Sequence, residues 1–341
     1  MNNIPVKFIT FLFSGGILLS SLTSCNLGKS GKFPSTGTVN ELLIITNDKE
    51  QWEGPLGDTI RAFFGAEQVG LSQPEPVFDL VNIADENLND IFKKFHNIFI
   101  ADINPDSTQT ISGTNKDLWS EPQRIIKISA PDLQSFYKEF DLKKETFMRL
   151  FIELERERTL TINYMSMDIL LSDTVAKKFG IKLPIPEGFY LAKQSKDFMW
   201  LRHKVTKVKQ DLELGIMIYS MNYHDTVVFN PKHILRWRNT ITLENIPGPS
   251  PISFMKVADE HLHPVFDTIT DFPGGYAVET RGLWEVENDF MGGPFINYTF
   301  VDKVNNKVIT LDGYVYNPND VKKYYLRELE SIFFVLKFTS R

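Results

Sequence analysis

The residues whose types best suit chemistry lie between 259 and 267: Asp259-Glu260-His261-Leu262-His263, followed by Asp267. If Glu260 to Phe266 is a strand, His261 and His263 project from one face, because side chains alternate along a strand. Two imidazoles and a carboxylate are a credible zinc set. The spacing fixes no third ligand, and a histidine pair on a strand equally describes an ordinary surface. No metal site and no cofactor are therefore assigned; His261, His263 and Asp267 stand as the candidates. His224-Asp225 could be half of a catalytic pair, but no nucleophile is placed beside it. Ser135-Phe-Tyr-Lys138 has Ser-x-x-Lys spacing without its companions, since Ser172-Asp173 is followed by Thr174 rather than Asn and Lys-Thr-Gly is absent. There is no nucleotide-binding glycine loop, Gly-x-Ser-x-Gly, His-Glu-x-x-His or Cys-x-x-Cys. A non-catalytic role is expected; the alternative is a hydrolase with a dispersed site, its metal at His261 and His263.

One side chain has a defined chemical fate. Cys25 is the only cysteine, and Lys7 is the only charge before it. The apolar run Phe8 to Leu19, broken by Gly15-Gly16, has the length of a signal h-region and falls short of the ~20 residues a membrane-spanning helix needs. Leu22-Thr23-Ser24-Cys25 resembles the bacterial lipobox. The resemblance implies cleavage before Cys25, loss of residues 1–24 and multiple acylation of the Cys25 thiol. One acyl chain holds a protein only reversibly; two or three, at ~0.8 kcal/mol per buried CH₂, anchor it. Asn26 follows, where aspartate would favour inner-membrane retention by analogy with enteric lipoproteins, so the outer membrane is expected. Lys29 and Lys32 are the only charges from there to Thr38. Surface-exported lipoproteins of Bacteroidetes-type bacteria tend to be acidic at that point, so the periplasmic face is expected.

Composition narrows the partners. The formal charge is −6, or −7 without residues 1–24. With no basic cluster, a nucleic-acid partner is not expected; an envelope protein, a glycan or a lipid is. A lone cysteine rules out a disulfide framework, so the fold must rest on a core. That core can draw on 27 Phe, 11 Tyr and 5 Trp, which read mainly as packing and alternatively as an aromatic-lined cleft.

These residues must be positioned by an α+β (mixed α/β) fold of largely antiparallel sheets with helices packed on one face, in two lobes: 39–183, α/β, and 184–341, α+β. A flexible tether, Cys25 to Thr38, precedes them. Strands are expected at Val39–Thr46, Val77–Ile83, His96–Ile103 and Arg124–Ser129. Leu88, Ile91, Phe92 and Phe95 recur at helical spacing. Gly54-Pro55 opens a helix that Gly65 stops. Pro131 opens another, a separate long helix runs from Leu142 to about Leu160, and a shorter one from Asp168 to Phe179. In the second half, Leu212–Met221 is apolar on both faces, which describes a central strand covered on both sides. Asn230-Pro231 opens a helix. Asn305-Asn306 suits a two-residue hairpin loop, which would set Phe300 opposite Leu311 and Tyr298 opposite Gly313. Asn317 would cap the last helix, with Pro318 at its first position. Pro186-Glu-Gly-Phe189 with Phe229-Asn-Pro231, and Pro273-Gly-Gly-Tyr276 with Tyr316-Asn-Pro318, are spaced alike and raise an internal duplication.

Trp52-Glu-Gly-Pro-Leu-Gly-Asp58, Gln73-Pro-Glu-Pro76, Ile246-Pro-Gly-Pro249, Gly313-Tyr-Val-Tyr-Asn-Pro318 and Tyr325-Leu-Arg-Glu-Leu-Glu-Ser-Ile332 together resemble an uncharacterised lipoprotein family of Bacteroidetes, domain-of-unknown-function family 4837. The resemblance spans nearly the whole mature chain. It implies an envelope lipoprotein and carries over no functional residue except the lipidated cysteine, here Cys25.

Overall fold

The computed structural model describes residues 31–207, 210–260 and 262–339. The signal, the lipobox with Cys25, and His261 lie outside the described residues. Phe33–Arg341 is one compact unit, of mixed α+β class.

The first sheet is built from β1 (Glu41–Thr46), β2 (Asp79–Ala84), β3 (Asn97–Ile103), β4 (Ile111–Lys116) and β5 (Arg124–Ala130) in the order β2-β1-β3-β5-β4. All neighbours are parallel except β4 against β5. Parallel strands covered on both faces become continuous apolar runs, as in Leu42-Leu-Ile-Ile45. Between β1 and β2 lie α1 (Lys49–Glu53) and α2 (Pro55–Phe64); Pro55 starts α2 and the Gly65 amide closes it on Arg61.

After β5 comes α3, a single helix from Leu133 to Met165, where two were expected. The intervening Leu142-Lys-Lys-Glu145 are all good helix formers. Phe136, Phe140, Phe147, Phe151 and Leu154 are all buried, and the first four pack with α2 on one face of the sheet. Among the described residues the other face carries no helix of more than one turn: Leu88, Phe92, Phe95 and Trp119 cover it, and the 88–95 periodicity resolves into a short 3₁₀ turn, Phe92–Lys94. Within the stretch expected as tether, the chain is already docked, with the Ser35 amide on the Glu121 carbonyl at 3.0 Å and that of Thr36 on Lys94 at 2.8 Å.

The second half contains α4 (Ile169–Phe179), β6 (Tyr190–Ser195), β7 (Phe198–Lys207), β8 (Gln210–Asn222), α5 (Pro231–Asn245), β9 (Met255–Val257), β10 (Val265–Ile269), β11 (Ala277–Val286), β12 (Gly292–Asp302), β13 (Lys307–Tyr316) and α6 (Lys323–Phe333). The eight strands form an antiparallel sheet, order β9-β11-β12-β13-β8-β7-β6, with β10 also on β11. As the sequence predicts, β8 is covered on both sides: Leu214, Ile216 and Ile218 face α4 and α6, while Met217 and Tyr219 share a core with Leu235 and Trp237 of α5. Helices therefore lie on one face of the first sheet but on both faces of this one. β6-β7-β8-α5 and β11-β12-β13-α6 repeat a strand order, yet their helices cover opposite faces. A rotation bringing β8 onto its antiparallel neighbour β13 preserves the face, so it superposes the strands without the helices.

Two local expectations change. The hairpin loop has four residues, because Asp302 pairs with Lys307; Phe300 then faces Ile309 and Tyr298 faces Leu311. The Asp302 carboxylate accepts the Val304 and Asn305 amides at 2.9 and 3.1 Å and so winds two further residues into the turn. A shift of two leaves every side chain on its expected face. The last helix begins at Lys323, and its cap comes from the first lobe: Glu75 accepts the Lys322 amide at 2.9 Å and the Lys323 amide at 2.8 Å. Asn317 instead bonds the Val321 carbonyl at 2.9 Å. Leu71 is buried in the core of the second sheet, so the Gln73-Pro-Glu-Pro76 segment locks the lobes together.

Candidate functional site

Among the described residues, the sequence-derived candidates do not converge. His263 is exposed and lies before β10, since Pro264 follows it and the strand starts only at Val265. Asp267 is exposed, and its carboxylate accepts the Thr268 amide at 2.7 Å. No group of three metal-ligating side chains occurs among the described residues. His224 is exposed, while Asp225 accepts the Val227 amide at 2.8 Å and caps a 3₁₀ turn. The Ser135 amide is held by Asp132 as the first turn of α3 forms.

Three buried polar centres formed without any sequence signal, because their members are distant in the chain. Between the lobes, Glu330 bonds Arg156 and, at 2.7 Å, Arg327, while Arg281 reaches Glu279 at 2.6 Å. Burial alone would raise the Glu330 pKa; the three guanidiniums outweigh it and hold the carboxylate well below its usual range. Nearby, buried Glu155 accepts from the Asn40 amide at 2.9 Å and Asn97 at 2.7 Å, and lies 2.6 Å from His96 Nε2. There too burial is outweighed, chiefly by His96, and the pKa is lowered. Beneath α5, Arg238 bonds Asp312 at 2.8 Å, and Asn297 bonds the same carboxylate at 3.0 Å. These sets hold elements in register, and their burial keeps them from solvent, although Arg238 Nη1 and Asn97 Oδ1 are left without a hydrogen-bond partner.

An open groove lies at the hairpin end of the second sheet. Its larger hollow, about 1180 Å³, has Val227, Phe229, Tyr276, Val301, Val304 and Phe338 among its walls. Val304 is 79% exposed, Val227 58%, Tyr276 49% and Phe338 40%, so four apolar side chains face water around one concavity. Convergence of this kind marks a binding surface rather than scattered exposure. Its frame is local. Asn230 caps α5 through the Lys232 amide at 3.0 Å, setting Phe229 just outside the helix. Gly275 has φ +91°, and a Cβ on Gly274 would stand 2.6 Å from the Phe300 ring, so this turn needs both glycines and delivers Tyr276 to the rim. Tyr223 and Asn306 pin the loop, amide to carbonyl at 2.9 Å and side chain to carbonyl at 3.2 Å. A second hollow of about 810 Å³ shares Asp302, Val304 and Phe338 with the first and carries Lys177, Lys178, Lys196 and Lys307. Two turns the sequence singled out, Phe229-Asn-Pro231 and Pro273-Gly-Gly-Tyr276, thus meet here. Their meeting was not legible, since nothing local joins them.

With this geometry in place, the chain resolves into two domains of unknown function. Residues 169–335 match the family model DUF4837. Residues 35–164 match a different one, DUF8532. The family expected from the motifs is thus matched across the second half, whereas Trp52–Asp58 and Gln73–Pro76 fall in the region matched by the other. No curated protein matches the sequence. Among solved structures, similarity extends to LpqN of Mycobacterium tuberculosis, described as involved in cell envelope biogenesis (15% identity, 47% of this chain and 83% of that one, TM-score 0.28). It extends also to a variant of the protein Mog1 (10%, 47% and 91%, TM-score 0.30) and to the lipid transfer and protein localization domain of human StarD13 (15%, 48% and 92%, TM-score 0.22). At these scores the likenesses carry no functional argument. No described helix is long and apolar enough to cross a membrane.

Proposed function

We propose that this protein is a non-catalytic binding lipoprotein of the cell envelope, anchored through Cys25 and facing the periplasm from the outer membrane, with its partner held in the groove framed by Phe229, Tyr276 and the 303–306 loop. The observation that carries the binding role is the convergence of exposed Val227, Tyr276, Val304 and Phe338 on one hollow, while the ionisable clusters described above are buried away from solvent. The anchor rests on the lipobox, with the h-region before it.

A photo-crosslinking residue at position 276, compared with one at exposed Ile111 on the first lobe, tests the groove in native envelopes. A discrete adduct from 276 that is absent from 111 is expected; equal or no labelling overturns it. Replacing Cys25→Ala should abolish the acylated mass of the N-terminal peptide, and an unmodified thiol in the native protein would remove the anchor.

A further inference from the structure

We infer that the groove's ligand is a single anionic lipid, its acyl chain along the hollow between Tyr276 and Val304 and its acidic headgroup among the lysines of the adjoining hollow. This deepens the reading of the groove as the binding site and rests on it.

The two hollows are one surface divided by chemistry. One side presents apolar side chains to water. The other presents ammonium groups, and the two meet at Val304 and Phe338. Across both, five lysines (177, 178, 196, 303, 307) face three aspartates (173, 197, 302), a local charge of +2 in a chain of −6. Asp302 is buried and spent on its own loop. Lys307 is only 3.9 Å from Asp197, and Lys178 reaches the Lys196 carbonyl at 3.1 Å. Lys177, Lys196 and Lys303 have no ion pair among the described residues. An acidic protein that gathers lysines beside an exposed apolar concavity fits an amphiphile of opposite charge.

The same surroundings disfavour the other occupants. A peptide adding to a sheet needs free backbone donors. Here the amides of Tyr223, Gly275, Val304 and Asn305 already donate within the protein. A sugar is held by several side chains bonding its hydroxyls from around one site, yet in the apolar hollow Asn230, Asp302 and Asn306 are committed to Lys232, the loop and Tyr223. An acyl chain asks for neither. The apolar hollow, about 1180 Å³, is slightly larger than the usual ligand site of about 300–1,000 Å³.

The test uses the chain from Asn26, which contains the whole compact unit Phe33–Arg341, without detergent. Probes are phosphatidylglycerol with a fluorescent acyl chain below its critical micelle concentration, the matching phosphatidylcholine, and inorganic phosphate. Saturable one-to-one binding of the phosphatidylglycerol is expected, tighter than that of the phosphatidylcholine. Lys177→Ala with Lys196→Ala should weaken phosphatidylglycerol binding by about fivefold or more and leave phosphatidylcholine unchanged. Val304→Asp should abolish both. These side chains are exposed, and an unchanged urea midpoint verifies folding. Equal affinity for the two lipids, or no effect of the lysine variant, overturns the headgroup assignment. Full competition by phosphate alone, or binding unaffected by Val304→Asp, overturns the acyl-chain assignment. No lipid binding alongside a protein adduct at position 276 overturns the lipid and leaves the groove as the binding site.

Discussion

Phe229 and Tyr276 meet edge to face, ring centres 4.9 Å apart and planes at 78°. One ring stands just before α5, the other just before β11, so the contact ties together the two turns that frame the groove. Edge-to-face pairs add about 0.5–1.5 kcal/mol beyond burial. Tyr276→Ala should therefore lower stability in urea by about 1 kcal/mol and reduce ligand capture at the groove more than its small stability loss explains. Tyr276→Phe should do neither. Loss of stability with capture intact would make the pair a brace and not part of the site.

What was legible in the chain is what depends on near neighbours. Pro55 and Pro231 start helices where the sequence placed them, and β8 shows its two apolar faces. The faces of β12 and β13 are as expected, although Asp302 lengthens the loop. What was not legible depends on residues far apart. The start of α6 is set by Glu75, 247 positions before Lys322. The parallel sheet is fixed by which strands the crossovers bring together. The groove exists only because Tyr276, Val304 and Phe338 are carried to one end of a sheet. Phe229-Asn-Pro231 and Pro273-Gly-Gly-Tyr276 were noticed as possible repeats, when their significance lies in touching each other.

Glu75 offers a direct measure of that long-range cap. Glu75→Ala removes acceptors for two α6 amides and should cost about 2 kcal/mol, the upper range for a helix cap. Glu75→Gln keeps one acceptor and loses the charge at the helix N-terminus, worth about 0.3–1 kcal/mol, so it should cost roughly half. Urea unfolding monitored by tryptophan fluorescence distinguishes them. Equal midpoints for both variants and the wild type would show that the lobes hold without the cap.

Two buried carboxylates set the acid limit. Glu330 and Glu155 are both held below their usual range in the folded protein. A lowered carboxylate pKa contributes stability above the unfolded value, near 4.3, and loses it as pH falls through the folded one. Stability should thus decline below about pH 5. Glu330→Gln should cost about 3–5 kcal/mol at pH 7, since Arg156, Arg281 and Arg327 lose their shared counter-charge, and its acid slope should be shallower. A variant with the wild-type slope would place the acid sensitivity elsewhere.

Arg238 and Asp312 are buried as a pair, and breaking such a pair strands a charge. Asp312→Asn should destabilise by about 3–5 kcal/mol. Arg238→Met combined with Asp312→Leu removes both charges and should recover most of that loss, because matched apolar replacement of a buried pair is often neutral. If the double variant is as unstable as the single, Asn297 and Tyr219, which share the network, need the carboxylate for their own satisfaction.

Glu328 carries the opposite pH signature. It is partly buried on α6 with no ion pair or hydrogen bond among the described residues, and burial pushes its pKa up to about 7. The folded state therefore binds a proton that the unfolded state has released, between about pH 4.5 and 7. Through that window the Glu328 contribution to stability falls as pH rises, and above it a constant penalty remains, on the order of 3 kcal/mol. Glu328→Gln removes the charge without shortening the side chain. It should be more stable than the wild type at pH 8 and nearly equal to it near pH 4.5, with the difference between the two closing steadily as pH falls. Urea midpoints for both proteins at half-unit steps from pH 4.5 to 8 read this directly. Parallel curves would mean that water reaches the carboxylate and that helix α6 opens around it.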